Sequence, residues 1–177
     1  MSLATLFHRA DRLEGRVCLY ANAAARRRAV RALFKSVSRL GDGVIWYVLM
    51  ALMPLIDPER GVYIAAQMLV AGAVGLLAYK LLKRKLVRER PFIGLIGIEC
   101  VMPPLDRYSF PSGHTLHAVL FTTIAVSHVP GLAVFLLPFA TLVAMSRVVL
   151  GLHYPSDVLV GALIGLVLAI GSNSLFG

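Results

Sequence analysis

The chain has 177 residues, enough for one domain, and 58% of them are hydrophobic, with a mean hydropathy of +0.78. That is too apolar for an ordinary soluble domain and points to an integral membrane protein. A net charge of +9 on so apolar a chain suits the anionic surface of a bilayer rather than nucleic acid, which is not expected as a partner.

From Met1 to Leu40 the pattern is that of one or two amphipathic helices. Leu3, Phe7, Ala10, Leu13, Val17 and Tyr20 recur at three- and four-residue spacing, as do Val30, Leu33, Val37 and Leu40. Arg9, Arg12, Arg16, Arg26, Arg27, Arg28, Arg31, Lys35 and Arg39 outnumber the acids Asp11 and Glu14. Such a segment is expected to lie in the headgroup plane on anionic lipid, the plain alternative being a solvated basic face packed on the rest of the protein. No signal peptide is expected, because Met1 to Asp42 holds no apolar core ahead of its charges. The cysteines Cys18 and Cys100 form no metal-type pair.

Apolar runs follow. Gly43 to Ile56 is short for a bilayer and contains Pro54. Asp57 to Gly61 is a turn. Val62 to Leu82 is a good transmembrane helix that runs straight into a basic stretch ending at Arg90-Pro91. Phe92 to Pro104, with its glycines and prolines, reads as a loop with an interfacial segment. Thr115 to Val129, Leu132 to Leu150 and Val158 to Phe176 complete the set, the last with Gly161-x-x-x-Gly165 for a close helix–helix contact. The fold class is therefore all-α, an integral membrane bundle of about five transmembrane helices. Residues 1–42 form a basic amphipathic segment and residues 43–177 the transmembrane domain. Self-association is compatible with the sequence but not demanded by it.

Three polar stretches follow the second run, precede the third, and join the fourth to the fifth. In an antiparallel bundle they share one side of the membrane. That side carries most of the loop cations, so the positive-inside rule makes it cytoplasmic. In a bacterium this places the protein in the cell (inner) membrane.

The stretch Arg147 to Asp157 sets a histidine and its i+4 carboxylate in one loop. Asp157 can fix the tautomer of His153 and stabilise its imidazolium. Gly151 suits the end of the fourth helix and Pro155 the first turn of the fifth. Arg147, near the end of an apolar helix, is costly without a partner or a task, and its guanidinium can hold an oxyanion. The plain alternative is a structural Arg–Asp pair with a capping histidine. Lys83 and Arg90 are seven residues apart, so on a helix they share a face and can clamp phosphoryl oxygens. The plain alternative, cations snorkelling to headgroups, is assigned to Arg84, Lys85 and Arg88. Pro91 is expected to stop the helix behind Arg90. Ser112 and the free amides at a helix start can donate to an anion, Gly113 lets the backbone approach it, and His114 is placed to protonate a leaving oxygen. A plain N-cap with a surface histidine is the alternative there. His114, His117, His153 and Asp157 could ligate a metal in principle, but the surrounding cations would repel one and favour an anion. His117 receives no role, and no metal or cofactor is expected.

The order and spacing of Lys83-(six residues)-Arg90-Pro91, Pro111-Ser112-Gly113-His114 and Arg147-(five residues)-His153-(three residues)-Asp157 resemble the type 2 phosphatidic acid phosphatase superfamily, to which the vanadium haloperoxidases also belong. The resemblance implies a metal-independent phosphatase. In it His153 attacks phosphorus to give a phosphohistidine and Asp157 orients it. Lys83, Arg90, Arg147, Ser112 and Gly113 hold the phosphoryl oxygens, and His114 protonates the leaving group. A site at the interface implies a lipid phosphate or diphosphate substrate, with phosphatidic acid, phosphatidylglycerol phosphate and polyprenyl phosphates all fitting. A haloperoxidase is set aside because those relatives are soluble. A lipid phosphotransferase using the same site and a non-catalytic lipid-phosphate binder remain the alternatives.

Overall fold

The computed structural model describes the backbone of residues 3–176 and the side chains of residues 11–176. Leu3, Phe7 and Ala10 of the expected amphipathic stripe, and Arg9 among its cations, have side chains outside the described residues. The elements are α1 (Leu3–Ala24), α2 (Arg28–Arg39), α3 (Ile45–Ile56), α4 (Gly61–Lys85), α5 (Pro91–Gly94), α6 (Gly113–His128), α7 (Ala133–Val149) and α8 (Pro155–Phe176). Among the described residues every regular element is a helix, as the runs predict.

The first apolar run is not an isolated short helix. A π turn at Leu40–Val44 joins α2 to α3, and the combined segment Arg28–Ile56, 29 residues long, is long and apolar enough to cross a membrane. Gly61–Lys85, Pro130–Val149 and Pro155–Phe176 meet the same test. The remaining run, α6, is only 16 residues, but it is the helix the others enclose. Leu116, Leu120, Ile124 and Ala125 are fully buried, and α6 packs against α4, α7 and α8. At residue 42 the long first segment kinks. Gly43 has φ +124, a value open to glycine and strained for other residues, and the Trp46 indole donates to the carbonyl of Gly41 (3.1 Å). Trp46 then stacks edgewise on Phe139 and tilts against Phe121, with centroids 5.7 and 5.6 Å away, fastening α3 to α6 and α7.

Two polar systems close the ends of the bundle. At one end Gln67, wholly buried, donates to Ser172 (3.0 Å) and Asn173 (2.9 Å) and meets His128 at 2.8 Å, so α4, α6 and α8 are tied by satisfied hydrogen bonds. At the other end lie all three polar stretches, on one side as the topology requires. There α1 packs on α5, α7 and α8. Asn22 on α1 donates to the carbonyls of Glu99 (3.0 Å) and Val149 (3.1 Å) and accepts from the Glu99 amide (2.9 Å).

Candidate active site

His153, Asp157, Ser112 and Gly113 are each positioned by a local backbone device. Gly151 has φ +75 and turns the chain back after α7, so that the amides of Leu152 and His153 both donate to the Arg147 carbonyl (3.0 Å each). That return presents His153. Pro155 opens α8 and Asp157 falls in its first turn, where its Oδ2 accepts from the amide of Tyr154 (2.8 Å), the reach-back of an acid at the third helical position. Ser112 caps α6 and its hydroxyl lies 3.0 Å from that of Thr115. Its amide donates to the Asp157 carbonyl (3.0 Å), tying the second motif to the third. A Cβ at Gly113 would lie 2.7 Å from the Tyr79 ring.

One expectation needs correction. Lys83 and Arg90 do not share a helix face. Helix α4 ends at Lys85, and Arg90 sits at φ −81, ψ 153 in an extended segment. Proline at position 91 disfavours the helical region for the residue before it, so Pro91 starts α5 rather than ending α4. The two cations converge nonetheless. Both are bonded to the carboxylate of Asp106, Lys83 through Nζ and Arg90 through Nη2 at 2.8 Å. Lys83 also donates to the Tyr108 carbonyl (2.7 Å), and Arg90 Nη1 donates to the Leu152 carbonyl (2.7 Å) and lies 3.3 Å from His153 Nε2.

The imidazole of His153 is thus bracketed, with Nε2 towards Arg90 and Nδ1 3.6 Å from Asp157 Oδ2. At that separation Nδ1 is buried without a hydrogen-bond partner, as is Nε of Arg147. Burial, and then the charges of Arg147, Arg90 and Lys83, hold the His153 imidazole well below its usual range, which favours the neutral ring with Nε2 facing the Arg90 donor. Arg147 is buried, with one Nη bonded to the Ser38 hydroxyl. His114 Nε2 lies 3.3 Å from Asp42 Oδ1.

A second correction concerns Arg88, read as a headgroup-snorkelling cation. It is 2% exposed. Its guanidinium lies 2.5 Å from Asp157 Oδ1, 2.7 Å from the Ser156 hydroxyl and 2.7 Å from Asp11 on α1, over the Tyr154 ring. Arg84 and Lys85 are exposed, as expected of snorkelling residues.

The model of the PAP2 superfamily matches residues 61–176. The chain belongs to that superfamily. It is similar to the decaprenylphosphoryl-5-phosphoribose phosphatase of Mycobacterium tuberculosis, 33% identical over 152 residues that cover 82% of this chain and 80% of the relative. The crystal structure of Aquifex aeolicus LpxE superimposes with a TM-score of 0.79 at 28% identity, covering 92% of this chain and 95% of that one. A transmembrane PAP2-type phosphatidylglycerolphosphate phosphatase from Bacillus subtilis shares the fold, with a TM-score of 0.71 at 24% identity over 98% and 93% of the two chains. This PAP2 chain is accordingly an integral membrane enzyme, a hydrolase of the lipid-phosphate type.

Sequence reading missed Asp106, Arg88, Ser38 and Asp42. Asp106 sits in a proline-rich loop with no periodicity to announce it. Burial would raise its carboxyl, but hydrogen bonds from Lys83 and Tyr79 and the charges of Lys83 and Arg90 outweigh that and hold it below the usual carboxylate range. Asp42 did carry a signal, since an acid between two glycines inside an apolar helix pattern marks a break with a polar purpose. Beside His114 and Asp42 opens a largely apolar cavity of about 380 Å³, lined by Trp46, Tyr47, Met50, Leu69, Leu76, Tyr79, His117 and Phe121 among others. His117 faces this space with Nδ1 2.9 Å from the Gly113 carbonyl.

Proposed function

We propose that this PAP2 chain dephosphorylates a lipid phosphate or diphosphate through a phosphohistidine on His153. The observation that carries the reading is the unfinished hydrogen bonding around that ring. His153 Nδ1 and Arg147 Nε are buried without partners beside Arg90 and Lys83, and buried polar groups in native proteins are seldom left so. A phosphoryl group completes the Arg147 bond, and charge on the imidazole draws Nδ1–H to Asp157.

The tautomer follows from the bracket. Nδ1 carries the proton and faces Asp157, and Nε2 keeps its lone pair on the Arg90 side. Nε2 attacks phosphorus in line. The N–P bond forms as the P–O bond to the lipid breaks, and His114 gives its proton to the leaving oxygen. Lys83, Arg90, Arg147, the Ser112 hydroxyl and the Gly113 amide take the charge on the equatorial oxygens. Water then attacks the phosphohistidine, His114 takes a proton from it, the N–P bond breaks and phosphate leaves. No metal is required by this sequence of steps.

The apolar cavity ending at His114 supports a long-chain substrate, since it offers an acyl or prenyl chain a dry wall next to the polar seat. The relatives act on decaprenylphosphoryl-5-phosphoribose and phosphatidylglycerolphosphate by name, and either class is compatible with the cavity. We place the site at the cytoplasmic face. Arg12, Arg16, Arg26, Arg27, Arg28, Arg84 and Lys85 are exposed around the site end, where anionic headgroups would meet them. In a bacterial host the membrane is then the cell membrane. Cysteine-accessibility labelling at positions 60 and 107 reads the sidedness directly.

The test is phosphate release in detergent from a panel of lipid phosphates with excess chelator, together with isotopic trapping of the phosphoenzyme. Release that survives chelator, an acid-labile phosphoenzyme, and loss of both in His153→Ala are expected. Equal release from His153→Ala refutes the mechanism. Transfer to an added alcohol in preference to water would make the chain a phosphotransferase.

A further inference from the structure

The kink in the first membrane segment carries a charge that the chemistry above does not use. Asp42 stands at φ −82, ψ 25, just ahead of Gly43 at φ +124, inside the π turn that joins α2 to α3. Helix breaks of this kind cluster at functional sites, and an acid in an apolar span is costly unless paired or employed. The turn is held from both sides. Trp46 donates to the Gly41 carbonyl (3.1 Å), and a Cβ at Gly41 would lie 2.7 Å from Val143 on α7. What this geometry delivers is a carboxylate oxygen 3.3 Å from His114 Nε2.

The setting of His114 explains why that matters. Burial, and after it the charge of Arg147 ahead of the other neighbouring groups, pushes its imidazole well below the usual range, since desolvation and like charges both disfavour an imidazolium. A general acid must nevertheless hold a proton when substrate arrives. Asp42 is the acid within ion-pair distance of it. An imidazolium has two N–H groups. One faces Asp42, and the second is left for the leaving oxygen.

We infer that Asp42 is a positioning residue for leaving-group protonation, holding His114 in its protonated form and orientation from the kink of the first membrane segment. Asp42 does not touch the reacting atoms. The inference rests on the reading of His114 as the general acid. It also gives the helix break a purpose, since a continuous helix through residues 40–44 would lack the turn that presents this carboxylate.

The experiment compares kcat/KM across phosphate esters that carry the same long chain but differ in leaving group, from an alkyl phosphate to a nitrophenyl phosphate. A nitrophenolate leaves without a proton, whereas an alkoxide needs one. In Asp42→Asn, kcat/KM for the alkyl ester should fall roughly 10- to 100-fold, the scale of general-acid assistance. The nitrophenyl ester should fall no more than about threefold on the same basis. His114→Asn should show the same dependence, and the double variant should be no worse than His114→Asn alone. Asp42→Glu should restore much of the alkyl rate, and Asp42→Ser serves in place of Asn if that variant does not fold. Equal losses on both esters in Asp42→Asn, or none on either, beside a leaving-group-dependent His114→Asn, overturn the role of Asp42 and leave the general acid standing. A His114→Asn variant without leaving-group dependence overturns the general acid, and the role of Asp42 with it.

Discussion

Helix α8 rests on α6 through two glycines, and the structure says what a single methyl group would do there. A Cβ at Gly161 would lie 2.5 Å from the Ser112 carbonyl oxygen, and one at Gly165 would lie 2.3 Å from that of Leu116. Both obstacles are backbone, so no rotamer change relieves them. Ordinary contact begins near 3.4 Å, which means the helices must part by about 1 Å. Alanine gains about 1 kcal/mol over glycine in helix propensity, but forced overpacking costs about 1–3 kcal/mol or more. Gly165→Ala should therefore be net destabilising, by up to about 2 kcal/mol. Gly161→Ala should be similar in stability and worse in activity, because it pushes Ser112 and the α8 turn bearing Asp157 apart. We expect a loss of at least tenfold in kcat/KM. Gly171, on the same helix, has nothing within 4 Å of its would-be Cβ, so Gly171→Ala should be neutral or stabilising by up to about 1 kcal/mol. Thermal midpoints in detergent and phosphate release from a lipid phosphate measure all three. If Gly161→Ala and Gly171→Ala rise together in midpoint, the contact is softer than the backbone geometry implies and the reasoning fails.

Arg88→Gln leaves Asp157, 0% exposed, without its buried partner. Breaking such a pair costs about 3–5 kcal/mol, so a lowered midpoint and lost activity are expected, whereas Arg84→Gln on the exposed surface should change stability by under about 0.5 kcal/mol. In pH–rate profiles, wild-type kcat/KM should show no fall from His153 protonation as pH drops through 6.5, because burial and the Arg147, Arg90 and Lys83 charges hold that imidazole far lower. Arg90→Gln removes one of those charges, favours the imidazolium and should move the acid limb to higher pH, and a limb that stays put would contradict this. Asp106→Asn frees the clamp of Lys83 and Arg90 from its resident carboxylate, so inorganic phosphate should inhibit that variant at a severalfold lower concentration, and unchanged inhibition would show that Asp106 does not compete for the phosphoryl seat.

What the sequence made legible was whatever a local signal encodes. The apolar runs, the Ser112 cap, the Gly151 turn and Asp157 in the first turn of α8 each follow from a few neighbouring residues, and the structure has them at those positions. The gathering of the motifs at one end also followed, because alternation across a bilayer is a parity argument. The failures share a cause. Lys83 and Arg90 were set on one helix face because seven-residue spacing allows it, yet Pro91 ends that option and the chain leaves α4 at Lys85. Arg88 was indistinguishable from Arg84 and Lys85 in a basic run, since what turns it inward is Asp157 and Asp11, 69 and 77 residues away. Asp106, Ser38 and Asp42 likewise acquire meaning only through partners from other elements.

Under the proposed mechanism, Arg88 and Arg90 divide one charged loop between fold and chemistry. Both guanidiniums are 2% exposed, two residues apart, and both hold an aspartate. Arg88 is enclosed by Asp157, Ser156 and Asp11, and Asp157 is itself tied to the Tyr154 amide, so that pair is fixed. Arg90 and Lys83 hold Asp106, whose side chain is 31% exposed and lies on a loop. A phosphate monoester brings about −1.5 to −2 charges at neutral pH. Seating it beside the Arg88 pair would mean dismantling the support of His153. Seating it on Lys83 and Arg90 requires only that Asp106 turn towards water, an exchange of one anion for another at nearly constant local charge. On the proposed mechanism the Nε of Arg147, buried without a hydrogen-bond partner among the described residues, would favour that exchange by donating to the incoming phosphate.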